Sequence, residues 1–136
     1  MDPDTGLSDE AVEGDDQDRL SQKFQRELNA GLIGLVLLTV LERADEDLYG
    51  YQIAKRLQDR ADGSPPVKQG ALYPVLRQLS ANGLLASRIV PSYAGPPRRY
   101  YRITPSGRNQ LAEWRGIWRH TRDFVDSFSQ SNGAHP

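Results

Sequence analysis

The stretch GALYPVLRQLSANGLL, which runs from Gly70 to Leu85, decides the fold. Its apolar residues recur at the spacing of a helix with one buried face: Leu72, Val75, Leu76 and Leu79. The Asn-Gly pair at 82–83 predicts a left-handed cap that ends this helix. Pro74 leaves two alternatives open: either the regular helix starts near Tyr73, with the proline in its first turn, or the helix kinks at its N-terminal end.

The residues before this stretch predict two more helices. One helix, or two abutting helices broken or bent near Gly31 and Gly34, is expected from about Arg19 to Arg43. The run LIGLVLLTVL within it, residues 32–41, is apolar on nearly all sides and should be buried at the centre of the fold. The stretch LYGYQIAKRLQDRAD, residues 48–62, predicts a second helix in which a glycine near the start permits close approach of a neighbouring helix. The sequence DGSPP, residues 62–66, should stop it.

The residues after it predict a β ribbon and a last helix. Residues 84–90, LLASRIV, and residues 98–104, RRYYRIT, alternate as two strands with one face on the core and a basic tip. Tyr100 and Tyr101 point to opposite faces, so at least one of them is expected to be core packing. Thr104 as N-cap and Pro105 in the first turn predict a helix that runs to about residue 130.

This order of elements predicts a mainly α fold with a small β ribbon, namely a winged helix-turn-helix followed by a long C-terminal helix. The chain of 136 residues fits one ordinary domain with short additions at each end. The predicted boundaries are a disordered acidic N-terminal tail at 1–18, a winged helix-turn-helix DNA-binding domain at 19–104, a dimerisation helix at 105–130 and a disordered tail at 131–136.

The charges are segregated along the chain. Residues 1–18 carry eight acids and no base, whereas residues 48–122 carry thirteen bases against three acids. A cationic domain is typical of proteins that bind a polyanion, although a solvated arginine-rich surface gives the same count. The acidic tail either only solubilises the chain or competes with DNA for the basic face.

Composition excludes several other classes of protein. There is no cysteine, hence no disulfide framework or thiolate site. The longest apolar run is about half of what a membrane-spanning helix needs, and no signal peptide precedes it, so we expect a soluble cytoplasmic protein without a membrane partner. The two histidines, His120 and His135, form no catalytic triad or metal cluster with neighbouring residues, so we expect no enzyme activity, no metal and no cofactor.

In a helix-turn-helix the second helix of the pair lies in the major groove of DNA. Arg77 and Gln78 are residue types that read guanine and adenine edges, while Lys68 and Tyr73 suit phosphates. Arginines beside the AGPP loop fit a wing that contacts the DNA backbone or the minor groove. The alternatives are a merely solvated helix face and a protein-binding loop. The predicted DNA-binding residues are Lys68, Gln69, Gly70, Tyr73, Arg77, Gln78, Arg98 and Arg99.

The last helix carries an apolar seam. Its positions follow a heptad pattern: Leu111, Trp114, Trp118, Thr121, Val125 and Phe128. Such a stripe is ordinary packing against the first helix, or it pairs with its own copy in a second subunit. In the second case, paired indoles would leave a flat slot for a planar, apolar, small aromatic effector.

At LYGYQIAKRL, GALYPVLRQLSANGLL and GPPRRYYRITPSG the sequence resembles the PadR family of bacterial transcriptional regulators, in its short subfamily with a single C-terminal helix. The resemblance implies a homodimer that binds a pseudo-palindromic operator on double-stranded DNA and represses transcription. It also implies DNA contacts at Tyr73, Arg77, Arg98 and Arg99, and a ligand at the dimer seam near Trp118. The rival interpretation is a winged-helix protein-protein interaction module that does not bind DNA. SAN at 80–82 and the acidic tail depart from the family pattern.

Overall fold

The computed structural model describes residues 3–60 and 68–134, with side chains described over 14–60 and 68–130. It contains four helices and three strands within these residues. Their bounds are α1 Pro3–Arg43, β1 Leu48–Tyr49, α2 Gly50–Arg60, α3 Gln69–Ala81, β2 Leu85–Val90, β3 Arg98–Ile103 and α4 Pro105–Ala134. This is the predicted mainly α architecture with a small antiparallel sheet. The predicted stop at 62–66 lies outside the described residues.

The core sits where the C-terminal third of α1 meets the other elements. Leu37 and Leu38 of α1 and Leu76 of α3 are fully shielded from solvent, and α4 contributes Leu111. The buried face of α3 is the predicted one, although Val75 is only partly buried at its edge. Because the buried positions of α1 begin at Ile33, the apolar run at 32–41 forms the central core helix, as predicted.

Helix α1 is continuous from Pro3 to Arg43, without a break at its glycines. The structure thus places residues 3–18 in α1, where the sequence predicted a disordered acidic tail. Two physical reasons favour the helix here. Extending an existing helix adds one backbone hydrogen bond for each residue that is fixed, and carboxylates near a helix N-terminus interact favourably with its dipole.

Strand β1 was not predicted from the sequence. Leu48 and Tyr49 were assigned to the second helix, but they pair with Tyr101 and Tyr100 of β3, and α2 begins at Gly50. The sheet order is β1-β3-β2, with Leu85 opposite Ile103 at one end of the ribbon and Val90 opposite Arg98 at the other. A two-residue strand is fixed by its tertiary partner rather than by its own pattern.

Helix α3 begins at Gln69, after Lys68 as N-cap, so Pro74 lies in the second turn. Of the two alternatives for this proline, a helix start near Tyr73 is therefore wrong. Proline lacks the amide that would donate to the carbonyl of Gly70, and both residues are exposed, so that carbonyl can bond to water.

The cap at the end of α3 is the predicted one. Gly83 has φ +77, its amide donates to the carbonyl of Ser80 at 3.0 Å, and the Leu84 amide donates to the carbonyl of Leu79 at 2.9 Å. These two bonds define a Schellman motif, and Leu79 and Leu84 provide its buried apolar pair.

The start of α4 is tied to this cap. The Thr104 hydroxyl donates to the carbonyl of Gly83 at 2.7 Å and accepts from the Gly107 amide at 2.9 Å, which makes Thr104 the N-cap as predicted. A Cβ on Gly107 would overlap the carbonyl oxygen of Leu84. One glycine therefore lets α4 leave the ribbon directly beside the end of α3.

The last helix and the first both extend beyond the core. Helix α4 continues to Ala134 and so includes the first four residues of the segment 131–136, which the sequence predicted to be disordered; the last two residues lie outside the described chain. The part of α1 from Gly14 to Arg43 is long and apolar enough to cross a membrane by length and composition alone. A buried core helix passes the same test, and Ile33, Leu37 and Leu38 are buried in this fold.

Candidate nucleic-acid interface

The exposed face of α3 carries most of the predicted DNA-binding residues. Lys68 is the N-cap residue, with extended backbone (φ −74, ψ 148), and its side chain is exposed to solvent. Gln69 and Gly70 follow in the first turn and are exposed, and a Cβ at Gly70 would meet no atom within 4 Å. The N-terminal end of α3 is thus an open, positively polarised surface of the kind that binds phosphate.

Tyr73 fixes the position of α3 against α2. A Cβ added to Gly50 would overlap the Tyr73 ring and would lie 2.9 Å from its hydroxyl oxygen. The absence of a side chain at Gly50 therefore lets the ring lie on the start of α2, which is the close helix approach that the sequence predicted. The Tyr73 hydroxyl accepts a hydrogen bond from Gln69 Nε2 at 3.2 Å, which orients two predicted contact residues together.

Arg77 of α3 and Arg99 of β3 both lie close enough to Tyr101 to act on it electrostatically. This tyrosine is 4 % exposed, and burial raises the pKa of its hydroxyl, opposed by the positive charges of Arg99 and Arg77. The nearby Tyr73 hydroxyl also raises the pKa of Tyr101. Residues far apart in sequence, on the predicted recognition helix and on the predicted wing, thus share one electrostatic environment.

The wing arginines occupy opposite faces of the sheet. Arg99 is exposed and donates from Nη1 to Ser87 Oγ at 3.0 Å, on the face that carries Tyr101. Arg98 stacks on the Tyr49 ring at 4.5 Å from its centroid, on the outer face. The structure therefore joins Arg99, but not Arg98, to the group formed by Tyr73 and Arg77.

Sequence reasoning missed the aromatic support of the outer face. The rings of Tyr49 and Tyr100 meet edge to face at 5.3 Å, and Arg88 lies 5.2 Å from the Tyr100 ring centroid. Arg88 also binds Asp47 at 3.0 Å. Tyr49 could have been found only through its pairing with Tyr100, which the missed strand β1 creates.

A groove of about 680 Å³ runs between α1, α3 and α4. Trp114 and Trp118 line it from α4, and Gln78 and Asn82 line it from α3. Gln78 is exposed, but it lies on this groove edge of α3 rather than in the Tyr73 and Arg77 group. A molecule in the groove would touch both the predicted effector residue Trp118 and the predicted recognition helix.

The predicted seam of α4 divides into three parts. Leu111 is completely buried in the core of its own chain, so its assignment to a seam between subunits is wrong. Trp114 is half-buried with its ring against Gly34, and Trp118 is half-buried at the edge of the core. Thr121, Val125 and Phe128 are exposed. The solvent-exposed part of the predicted seam therefore begins after Trp118.

A cluster of side chains that could hold a metal ion is not found among the described residues. Among residues 14–60 and 68–130, no three His, Asp or Glu side chains come together in an arrangement that could hold a metal ion. The charged side chains of this part of the chain instead form separate pairs, such as Arg115 with Glu42 at 2.8 Å, which ties α4 to α1.

The three helices of the core, the three-stranded sheet and the exposed face of α3 together define a winged helix-turn-helix protein. The profile of the transcriptional regulator PadR-like family matches residues 37–113, from the core of α1 to the start of α4. The chain belongs to this family and is a DNA-binding transcriptional regulator.

Solved structures and a curated relative are similar to the chain. A PadR family transcriptional regulator from Eggerthella lenta is 32 % identical with a TM-score of 0.68, and the match covers 84 % of this chain and 96 % of that one. A transcriptional regulator from Clostridium thermocellum is 27 % identical with a TM-score of 0.67, covering 75 % and 97 %. A transcriptional regulator of Mycobacterium tuberculosis is 40 % identical over 72 residues, which are 52 % of this chain and 62 % of the relative.

Proposed function

We propose that the protein is a cytoplasmic repressor that binds a pseudo-palindromic operator as a homodimer and has no catalytic step. The observation that carries the proposal is the grouping of exposed basic residues on α3 and the wing: Lys68 at the open N-terminus of α3, Arg77 on its exposed face, and Arg99 on the face of the sheet that carries Tyr101. This grouping presents a base-reading arginine and a phosphate-binding arginine on one surface, which is what a helix in the major groove and an adjacent wing require.

The homodimer is supported by apolar side chains that the single chain leaves exposed. On α4, Ile117, Phe124 and Phe128 are 63 %, 59 % and 67 % exposed, and on α1, Leu20 and Phe24 are 62 % and 66 % exposed. Monomeric soluble proteins rarely expose apolar surface of this extent in one place. A second copy that covers these helices would bring two recognition helices to the two halves of a palindrome.

The effector part of the proposal is that a planar, apolar ligand binds near Trp118. The groove between α1, α3 and α4 supports it, because an occupant would contact Trp118 and also Gln78 on α3. A ligand that prefers one angle between the two winged domains changes the spacing of the recognition helices and releases the DNA. Quenching of tryptophan fluorescence by planar aromatics in the parent, but not in Trp118→Ala, is the expected result.

DNA binding can be tested with a labelled duplex from the region upstream of the protein's own gene. Fluorescence anisotropy at two salt concentrations should give a selective, salt-sensitive affinity. Arg77→Ala should weaken specific binding by about 1–3 kcal/mol and reduce selectivity, whereas Arg99→Ala should weaken binding to all sequences and lower the salt slope by about one.

Arg102→Ala is a matched control, because Arg102 is exposed on the outer face of the sheet, away from the described α3 surface and from the helical arms, and its loss removes the same charge. A shift that neither depends on salt nor discriminates between sequences would contradict the repressor proposal. The rival function, a protein-interaction module, would then be the better interpretation of the same exposed surface.

A further inference from the structure

A second groove, on the opposite side of Trp118, has a chemistry that DNA binding does not use. Its volume is about 660 Å³, and α1, α2 and α4 line it. The floor is apolar, formed by Leu35, Val36, Val40, Leu57 and Trp118. This groove lies at the edge of the core, against which Leu35, Val40 and Leu57 are partly buried.

The rim of this second groove is rich in arginine. Arg43, Arg56 and Arg60 line it and form no ion pair with any carboxylate of the described residues, whereas Arg115 is held by Glu42 and the nearby Asp59 pairs with Lys55 at 3.9 Å. Three free guanidinium groups above an apolar floor fit an elongated, acidic partner with some apolar surface. We call this site the arginine-rimmed groove.

The N-terminal segment of the chain has the acidic and partly apolar composition that this groove would bind. Residues 2–18 contain eight carboxylates and no base, together with Leu7, Ala11 and Val12. A chain cannot place this segment in its own groove, because α1 is one continuous helix. At 1.5 Å per residue, positions 9 and 39 of that helix are about 45 Å apart. The segment that fills the groove must therefore come from another copy.

The exposed stripe of α1 fixes the register between two copies. Leu20, Phe24 and Leu28 form this stripe, and they are 62 %, 66 % and 40 % exposed. In a two-fold arrangement each contact occurs twice, so antiparallel α1 helices centred on Phe24 pair Leu20 with Leu28 of the other copy. The same axis sets positions 5, 9 and 13 beside positions 43, 39 and 35, which is the stretch of α1 that lines the arginine-rimmed groove.

We propose that the acidic segment of one copy, residues 2–18, docks along the arginine-rimmed groove of the other copy. The proposal rests on the homodimer proposed above and assigns a role to the acidic segment within it. The docked segment adds salt-sensitive ion pairs with the groove arginines at each end of the paired α1 helices. Charge complementarity, the apolar floor and the register of the exposed stripe each point to the same occupant.

Engineered cysteines test the register, because the chain has no cysteine of its own. Asp9→Cys combined with Thr39→Cys should form a covalent dimer on mild oxidation. The two positions are too far apart in one helix for a bond within the chain. Asp9→Cys combined with Arg102→Cys, on the outer face of the sheet, is the control and should not form the same product at equal protein concentration. A sample that stays dimeric by sedimentation but does not cross-link overturns the proposed register.

Sedimentation velocity of the full-length protein tests the charge pairing. Neutralising Asp4, Asp9, Glu10 and Glu13 to the corresponding amides should weaken the dimer about tenfold at low salt, since several exposed ion pairs each contribute a few tenths of a kcal/mol. The double variant Arg56→Glu with Arg60→Glu should have the same effect. Arg102→Glu with Arg108→Glu changes the net charge equally and should leave the dimer unaltered. At about 1 M salt all variants should converge, because the screening length falls to about 3 Å.

The outcomes separate this inference from the proposed function. A protein that is monomeric under all conditions contradicts the homodimer itself. A dimer that is insensitive to the acidic and arginine variants contradicts only the docking. If neutralising the acids tightens DNA binding and leaves self-association unchanged, the segment covers the DNA-binding arginines instead, and the groove is not its site.

Discussion

The winged domain and the two helical arms use similar residues in different ways. In the domain, from Ile33 to Trp118, Leu37, Leu76 and Leu111 are completely buried within one chain. In the arms, which are α1 over 14–32 and α4 over 119–130, the large apolar side chains are exposed, and Phe24 and Phe128 are 66 % and 67 % exposed. Both regions have apolar residues at helical spacing, so the pattern alone does not distinguish them.

The difference shows what decides burial in this fold. In the domain, residues of all four helices and of the sheet share one core, whereas the arms contribute no residue to this core. Exposed apolar surface on a long helix is stable only when another molecule covers it. We therefore expect substitutions in the domain to change the free energy of unfolding, and substitutions in the arms to change self-association.

The largest effect is expected from a truncation in the core. Leu76→Ala removes a side chain that is 0 % exposed, and it should lower the free energy of unfolding by about 2–5 kcal/mol in urea at every protein concentration. Phe128→Ala is the counterpart in the arm. It should leave the unfolding of the winged domain nearly unchanged but raise the dissociation constant of the dimer about tenfold or more, because a buried Phe contributes about 1.5–3 kcal/mol. An equal loss of stability in both variants at all concentrations would show that the arms fold with the core.

The next effect is expected where α4 joins the domain. A Cβ on Gly107 would overlap the carbonyl oxygen of Leu84 and lie 2.8 Å from Ile103 Cγ1. Backbone cannot move aside as a side chain does, so Gly107→Ala should lower the free energy of unfolding by about 1–3 kcal/mol.

Gly116→Ala is the matched control in the same helix. A Cβ there would meet nothing within 4 Å, and the better helix propensity of alanine should raise the stability by about 0.5–1 kcal/mol. Thermal unfolding of the two variants should therefore shift in opposite directions. A gain in stability for Gly107→Ala would contradict the tight junction between α4 and Leu84.

The sequence predicted the elements whose signals are local. The stripe of α3, its Asn-Gly cap, the Thr104 N-cap and the close approach at Gly50 all follow from residue types at fixed spacing, and the structure confirms them. The same is true of the ribbon, in which Tyr101 is buried and Tyr100 is half-buried on the other face.

The features that were not predicted depend on distant partners. Strand β1 exists because Leu48 and Tyr49 meet β3, and Arg98 lies on Tyr49 for the same reason. Leu111 fits a heptad seam by spacing, yet it is completely buried in the core cluster of its own chain. For the candidate interface, the residue types could be listed from the sequence, but the separation of Arg98 from Arg99 and the place of Gln78 on a groove required the fold.

The smallest effect is expected at the boundary between arm and domain, where α1 carries two glycines one turn apart. A Cβ at Gly31 would meet nothing within 4 Å, whereas a Cβ at Gly34 would lie 3.3 Å from Trp114 Cζ3. Gly31→Ala should therefore raise the free energy of unfolding by about 0.5–1 kcal/mol through helix propensity alone.

Gly34→Ala gains the same propensity but must displace the Trp114 ring by a few tenths of an ångström, so its net effect should be close to zero. Urea unfolding with tryptophan emission as the signal measures both the stability and the displacement of the ring. If Gly31→Ala also weakens self-association, a second copy packs against Gly31 as closely as Trp114 packs against Gly34. The dimer surface on α1 then extends beyond Leu28 to Gly31. If Gly34→Ala is stabilised as much as Gly31→Ala, the Trp114 ring moves without cost, and its contact with Gly34 does not fix the angle of α4.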